Sequence, residues 1–242
     1  MEDKRLLIII PAYNEEACIV HVINNIRNIC PQYDYLIIND GSSDNTVQVC
    51  KQNQFNFLDL PTNLGLTGAF ITGVKYAYMH DYDAVIQFDA DGQHLAEYIK
   101  PMMEAYLTGK YDIVIGSRFV NDKKDFSIRM IGSRMISFAI RITTGKVIHD
   151  PTSGMRLWGK TLIQCFAKEI NMTPEPDTVS YLIKRGATFK EVPVKMNERI
   201  AGTSYLNFIK SIKYMFHMIV SIMFVQLFRG NTPVNKTKEE II

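Results

Sequence analysis

Over the first 116 residues, short apolar runs alternate with stretches of helical periodicity, and this rhythm constrains the fold more than any other feature. Leu6 to Ile10 is an unbroken apolar run, as expected of a strand buried on both faces. Residues 15–29 then place Ile19, Ile23, Ile26 and Ile29 at helical spacing. Further strands are predicted at Tyr35 to Ile38, Phe55 to Leu60, Ala84 to Phe88 and Ile113 to Ile115. Helices are predicted after Asp44, which can cap the first of them, and over 66–80 and 95–108. The alternation predicts an α/β fold: a Rossmann-like, mostly parallel sheet flanked by helices. Beyond residue 116 the rhythm changes to a cationic helix over 127–143 and strands at 155–158 and 188–195. Pro193 puts the last strand at an edge. Residues 204–228 form one long amphipathic pattern, a C-terminal helical appendage. The expected division is a main domain over 1–203, an interfacial or oligomerisation helix over 204–230, and a flexible tail over 231–242.

Composition removes several classes. With 47% apolar and 21% charged residues in 242, a packed core is available. Cys18, Cys30, Cys50 and Cys165 form no C-x-x-C pair and have no histidine at ligand spacing. This excludes a disulfide framework and a structural zinc and predicts buried, reduced thiols in a cytosolic protein. The formal charge of +2 hides an asymmetry: residues 1–115 carry a net −8, residues 116–242 a net +10. An acidic half suited to a metal meets a basic half suited to phosphates or an anionic membrane. No signal peptide is read, because five apolar residues are too few for its core. The longest later candidate, Tyr214 to Phe228, has 15 residues and includes His217 and Gln226, which is short for a spanning helix.

In sheets of this kind ligands bind at the carboxyl ends of the strands. The ends of the first, second, fourth and fifth predicted strands carry polar, turn-forming clusters: Pro11 to Glu16, Asn39 to Asp44, Phe88 to His94 and Gly116 to Phe119. Any one could be an ordinary turn; together they define a common cleft. Asp89 and Asp91 lie two apart on an extended segment and project to one side. Without a cation they would repel, and such hard oxygen ligands suit Mg²⁺ or Mn²⁺ completed by waters and substrate phosphates. Neither a G-x-x-x-x-G-K-[ST] loop nor a G-x-G-x-x-G fingerprint is present, which weakens ATPase and dehydrogenase readings.

Taken in order, Pro11-Ala12-Tyr13-Asn14-Glu15, Asn39 to Asp44, Asn63-Leu64-Gly65 and Asp89-Ala90-Asp91-Gly92 resemble the successive blocks of family-two glycosyltransferases with the GT-A fold. Gly116 to Phe119, Asp150 to Arg156, Glu191 to Val194, and Arg199 with Gly202 and Ser204 resemble the dolichol-phosphate mannosyltransferase and bacterial polyprenyl-phosphate glycosyltransferase branch. The resemblance covers residues 6–205 and makes the main domain a catalytic one. It implies that Pro11, Ala12, Tyr13 and Glu15 line the nucleoside pocket and that Asp40 accepts a hydrogen bond from the base. It implies that Asp89, Asp91 and Gln93 hold the metal, that Arg199 closes over the diphosphate, and that Arg118, Arg129 and Ser133 hold the acceptor phosphate.

The reading is then a metal-dependent, inverting transferase taking a sugar from a nucleotide diphosphate to polyprenyl phosphate at the cytosolic face of the membrane. A metal and a cation stabilise the charge that builds on the leaving diphosphate. Members of the branch often carry spanning helices after the catalytic domain, and this chain shows one amphipathic stretch. A homo-oligomer or a separate membrane subunit is therefore open; a nucleic-acid partner is not expected. The alternative acceptor is a hydroxyl of a lipid-linked glycan or cell-wall polymer, which needs a carboxylate base. Glu175, Asp177 and Asp150 are the candidates, the first two equally suited to capping a helix. A sugar nucleotidyltransferase is a remote alternative, because Pro11 to Asn14 stands where a Gly-rich basic loop belongs. His94 could reach the metal, and Trp158 is expected in the core. Arg129, Ser133, Ser137 and Arg141 recur every four residues, which predicts one polar helix face turned toward the acceptor.

Overall fold

The computed structural model describes residues 4–120, 128–197, 208–225, 228–230 and 233–234. Strands β1 (Leu6–Ala12), β2 (Asp34–Asn39), β3 (Phe57–Asp59), β4 (Ala84–Gln87) and β5 (Ile113–Ser117) alternate with helices α1 (Ile19–Ile29), α2 (Thr46–Gln52), α3 (Gly65–Met79) and α4 (Ile99–Gly109). Every element expected in this stretch is present. The second half contains α5 (Ile128–Thr144), β6 (Arg156–Gly159), α6 (Lys160–Lys168), α7 (Pro176–Lys184), β7 (Phe189–Pro193) and α8 (Phe208–Met223). Helix α6 is an addition to the sequence reading: its 9 residues give periodicity little room.

The seven strands run in the order β3-β2-β1-β4-β6-β5-β7. β1 pairs in parallel with β2 and β4, and β5 with β7, whereas β6 is antiparallel to both β4 and β5. The reversed strand was not legible because β6 is buried along its whole length, and a continuous buried run carries no sign of direction. β7 with Pro193 lies at the edge, as a residue lacking an N–H requires.

Two hydrophobic layers sandwich the sheet. Leu7 and Ile9 of β1 face α3, α5, α6, α7 and α8, while Leu6, Ile8 and Ile10 face α1, α2 and α4. Fully burying each of these side chains contributes about 1.5–3 kcal/mol. Trp158 packs between Phe70 and Phe166, with ring centroids 6.3 and 4.9 Å away, so it belongs to the core as expected. Helix α3 lies so close to β1 that a Cβ on Gly73 would sit 2.5 Å from Ile9 Cγ2. The four cysteines are buried and unbridged. Strand order reverses beside β1, with β2 and β3 on one side and β4 on the other. A crevice opens at such a reversal, at the carboxyl ends of the strands.

Candidate active site

A cleft of about 270 Å³ occupies that position. The end of β1 supplies Pro11, Ala12, Tyr13 and Glu15, and the end of β2 supplies Asp40. The segment entering α3 supplies Asn63, Gly65, Leu66 and Ala69, and the turn after β4 supplies Asp89, Ala90 and Asp91. Seven of the residues given a role at the site from sequence (Pro11, Ala12, Tyr13, Glu15, Asp40, Asp89 and Asp91) are thus brought into one cavity.

The first two loops are held by each other. Asn14, in the left-handed region at φ 57°, accepts the Ser43 N–H at 2.8 Å on its side chain and donates its own N–H to Ser42 Oγ at 2.9 Å. Asp44 Oδ1 accepts the Thr46 N–H at 2.9 Å from one position ahead of Asn45, the N-cap of α2, whose own side chain makes no capping bond; its Oδ2 accepts the Glu16 N–H. Asn45 N–H returns a bond to Glu16 Oε2. These bonds order the β1 loop against the β2 loop before any ligand arrives.

Asp40 is 3% exposed, and its Oδ1 accepts the Leu64 N–H at 2.7 Å. A carboxylate so buried needs donors, and one comes from the loop after β3. Sequence reasoning assigned no role to Asn63, Gly65, Leu66 or Ala69; the signal was the Asn63-Leu64-Gly65 turn ahead of α3.

Asp89 keeps about a third of its side chain exposed, whereas Asp91 is nearly buried and accepts the Gln93 N–H at 3.0 Å. Gln93 does not line the cleft; its carbonyl accepts the Asn197 N–H at 2.9 Å. The buried His94 ring accepts the Asp89 N–H on Nδ1 at 2.9 Å, which leaves the proton on Nε2, 3.5 Å from Asp89 Oδ2. Its two nitrogens therefore orient Asp89. Gly154 closes the same spot, since a Cβ there would lie 3.2 Å from Asp89 Oδ2.

Among the described residues no cluster of three His, Cys, Asp or Glu side chains forms a ligand cage. Two carboxylates on one cleft wall are nevertheless the donor set that Mg²⁺ or Mn²⁺ takes when waters and substrate phosphates fill the remaining positions. Asp89 and Asp91 fit such an ion.

Arg118 stands outside this cavity, after β5. Its Nε and Nη2 donate to Asp150 at 2.7 and 2.9 Å, and its main-chain N–H joins them at 3.1 Å. Asp150 is fully buried. Glu175 accepts the Tyr214 hydroxyl from α8; Asp177 accepts the Ser221 hydroxyl at 2.7 Å and the Thr178 N–H at 2.8 Å. Burial first, then the neighbouring Glu175 charge, pushes the Tyr214 pKa far above the ordinary tyrosine value.

Helix α5 does not present the single polar face expected. Each four-residue step overshoots a helical turn by about 40°, so three steps rotate the row by about 120°. Ser133 is accordingly 1% exposed and outside the cleft, Ser137 bonds the Ser133 carbonyl at 3.0 Å, and Arg141 faces solvent. The Arg129 side chain and the whole of Arg199 lie outside the described residues. The outer surface of α5 instead exposes Ile131, Met135, Phe138 and Ile142. Among the described residues no helix is long and apolar enough to cross a membrane.

A sheet of this order, with paired carboxylates after β4 beside a cleft built from β1 and β2, is the GT-A glycosyltransferase fold. The chain belongs to glycosyl transferase family 2, whose model matches residues 7–166. It is 32% identical over 219 residues to the UDP-N-acetylglucosamine–dolichyl-phosphate N-acetylglucosaminyltransferase of Methanococcus voltae, covering 81% of this chain and 86% of that one. It is 30% identical over 217 residues to the undecaprenyl-phosphate mannosyltransferase of Micrococcus luteus, covering 84% and 88%. The polyprenol monophosphomannose synthase of Mycolicibacterium smegmatis is 26% identical over 221 residues, covering 84% and 82%. Among solved structures, glucosyl-3-phosphoglycerate synthase of Mycobacterium tuberculosis with Mn²⁺, UDP and product superposes with a TM-score of 0.66 at 16% identity, covering 94% of this chain and 81% of that one.

Proposed function

We propose that this glycosyltransferase moves a sugar from a nucleotide diphosphate to a polyprenyl phosphate, with inversion, at the cytosolic face of a membrane. The carrying observation is the state of the three carboxylates that could serve as a base. Asp150 is engaged by Arg118, Glu175 by Tyr214, and Asp177 by Ser221. A hydroxyl acceptor needs such a base. A lipid phosphate is already anionic near neutral pH and needs only to be held, a task suited to guanidinium groups. Relatives named for dolichyl, polyprenol and undecaprenyl-phosphate acceptors support the same choice.

In this reading Pro11, Ala12 and Tyr13 bound the nucleoside and Asp40 accepts an N–H from the base. Uracil, thymine and guanine all offer that donor, which sets the donor panel as UDP, dTDP and GDP sugars. Asp89 and Asp91 would hold Mg²⁺ or Mn²⁺, which when bound supplies charge neutralisation on the leaving diphosphate. Arg199 is proposed to close on the diphosphate, and Arg118 with Arg129 to hold the acceptor phosphate. The exposed stripe Ile131, Met135, Phe138 and Ile142, flanked by exposed Arg134 and Arg141, supports peripheral docking on anionic lipid.

The test is a transfer assay with Mn²⁺, a panel of UDP, dTDP and GDP sugars, and two acceptors: polyprenyl phosphate and a sugar-bearing lipid. Transfer to polyprenyl phosphate with an inverted anomeric centre, read by NMR, is expected. Transfer only to the sugar-bearing lipid would overturn the proposal.

A further inference from the structure

We infer that Asp150 and Glu191 are positioning residues that present Arg118 to the acceptor phosphate, and that Asp150 is not a catalytic base. The inference rests on the lipid-phosphate reading above and assigns the groups that build its acceptor site.

The two carboxylates form a relay. Glu191 is on edge strand β7, in register with Ile115 of β5, two residues before Ser117. Its side chain is 7% exposed. It accepts the Asp150 N–H at 2.9 Å and the His149 N–H at 2.8 Å, and His149 Nδ1 lies 2.7 Å from Oε2. The turn that begins at His149 is thereby pinned to the edge of the sheet. Asp150, held in that turn, takes three donors from Arg118: the main-chain N–H, Nε and Nη2.

A carboxylate with 0% exposure and both oxygens bonded to one arginine is poorly placed to take a proton from an acceptor. It is well placed to fix an orientation. A guanidinium has five N–H donors, and Asp150 uses two of them. The remaining three sit on a side chain that is 31% exposed. Ordering this long side chain happens on folding, so it does not oppose acceptor binding.

The turn also reaches the donor side. Ser153 Oγ donates to the Gly116 carbonyl at 2.5 Å, and Gly154 abuts Asp89. One five-residue loop, 150–154, therefore spans from the acceptor arginine to the metal-binding carboxylate.

The experiment uses the full chain, Mn²⁺, the nucleotide sugar that supports turnover and polyprenyl phosphate in detergent. Asp150→Asn should raise the acceptor KM about 10- to 100-fold, as loss of an orienting partner does elsewhere, with the donor KM unchanged and kcat reduced a few-fold. In an Arg118→Ala background the same substitution should add little, because the two act through one contact. Glu191→Gln should shift the acceptor KM in the same direction by less, and it decides the matter if Asp150→Asn does not fold. A large loss of kcat at unchanged acceptor KM, or additive losses in the double variant, would overturn the inference. A wild type that ignores polyprenyl phosphate refutes the functional reading and this inference with it. An active wild type whose variants keep the normal acceptor KM refutes this inference alone.

Discussion

Asp40→Asn is the sharpest probe of the proposed nucleotide cleft. The Leu64 N–H, 2.7 Å from Oδ1, requires an acceptor at that position. The asparagine must therefore turn its oxygen to Leu64 and its NH₂ to the nucleobase. Where the carboxylate accepts an imide N–H of uracil or thymine, or the N1–H of guanine, two donors then meet. Loss of a hydrogen bond to a charged group is worth about 1.5–3 kcal/mol, or roughly 10- to 150-fold in Kd at 1.4 kcal/mol per tenfold. Cytosine offers an acceptor at the same ring position, so binding of CDP should improve while that of the native nucleotide falls. Calorimetric titration of UDP, dTDP, GDP and CDP with Mn²⁺ into both proteins measures this directly. The fold should survive, because the Leu64 bond is kept and a buried charge is removed. Unchanged affinity for the preferred nucleotide, with no gain for CDP, would refute the assignment of Asp40 to the base.

Asp91→Ala should abolish transfer while leaving the circular dichroism spectrum intact, and excess chelator should do the same to the wild type; full activity in chelator would remove the metal. The stability–pH profile should fall on the alkaline side. Burial, then a hydrogen bond to Asp34, pushes the Tyr82 phenol up to about 12, and Tyr214 is raised further. A folded-state pKa above the unfolded value of 10.0 means that the contribution is complete below about pH 10 and is lost as pH rises from there through the folded-state value of about 12. The thermal midpoint should drop over that range, and less so in Tyr214→Phe; a flat profile would contradict the buried phenols. Phe138→Glu and Phe216→Glu, at positions 63% and 68% exposed, should leave the thermal midpoint nearly unchanged but reduce sedimentation with anionic liposomes, by about tenfold or more each. Variants that sediment like the wild type would refute membrane docking. Deleting α8 is a poorer test, because Met218 and Ile222 are buried in the core.

Local chemistry was legible from the residues alone. An unbroken run such as Leu6 to Ile10 is expected to be buried on both faces, and paired carboxylates after an apolar run are a donor set that suits a hard divalent cation. Both follow from neighbours in sequence, so the alternation and the strand-end clusters could be read without coordinates, whereas the roles of the cleft residues came from the resemblance to family-two glycosyltransferases. Tertiary structure decided everything that depends on which distant groups meet. The reversal of β6, the burial of Ser133 and the turning of His94 toward Asp89 carry no local signature. The same holds for Asp150, which looked like a possible base until Arg118, 32 residues away, and Glu191, 41 residues away, closed on it. Periodicity and residue type constrain what a segment can bury or bind. The partner that satisfies a buried charge is chosen by the packing of the sheet, and that choice separates a base from a brace.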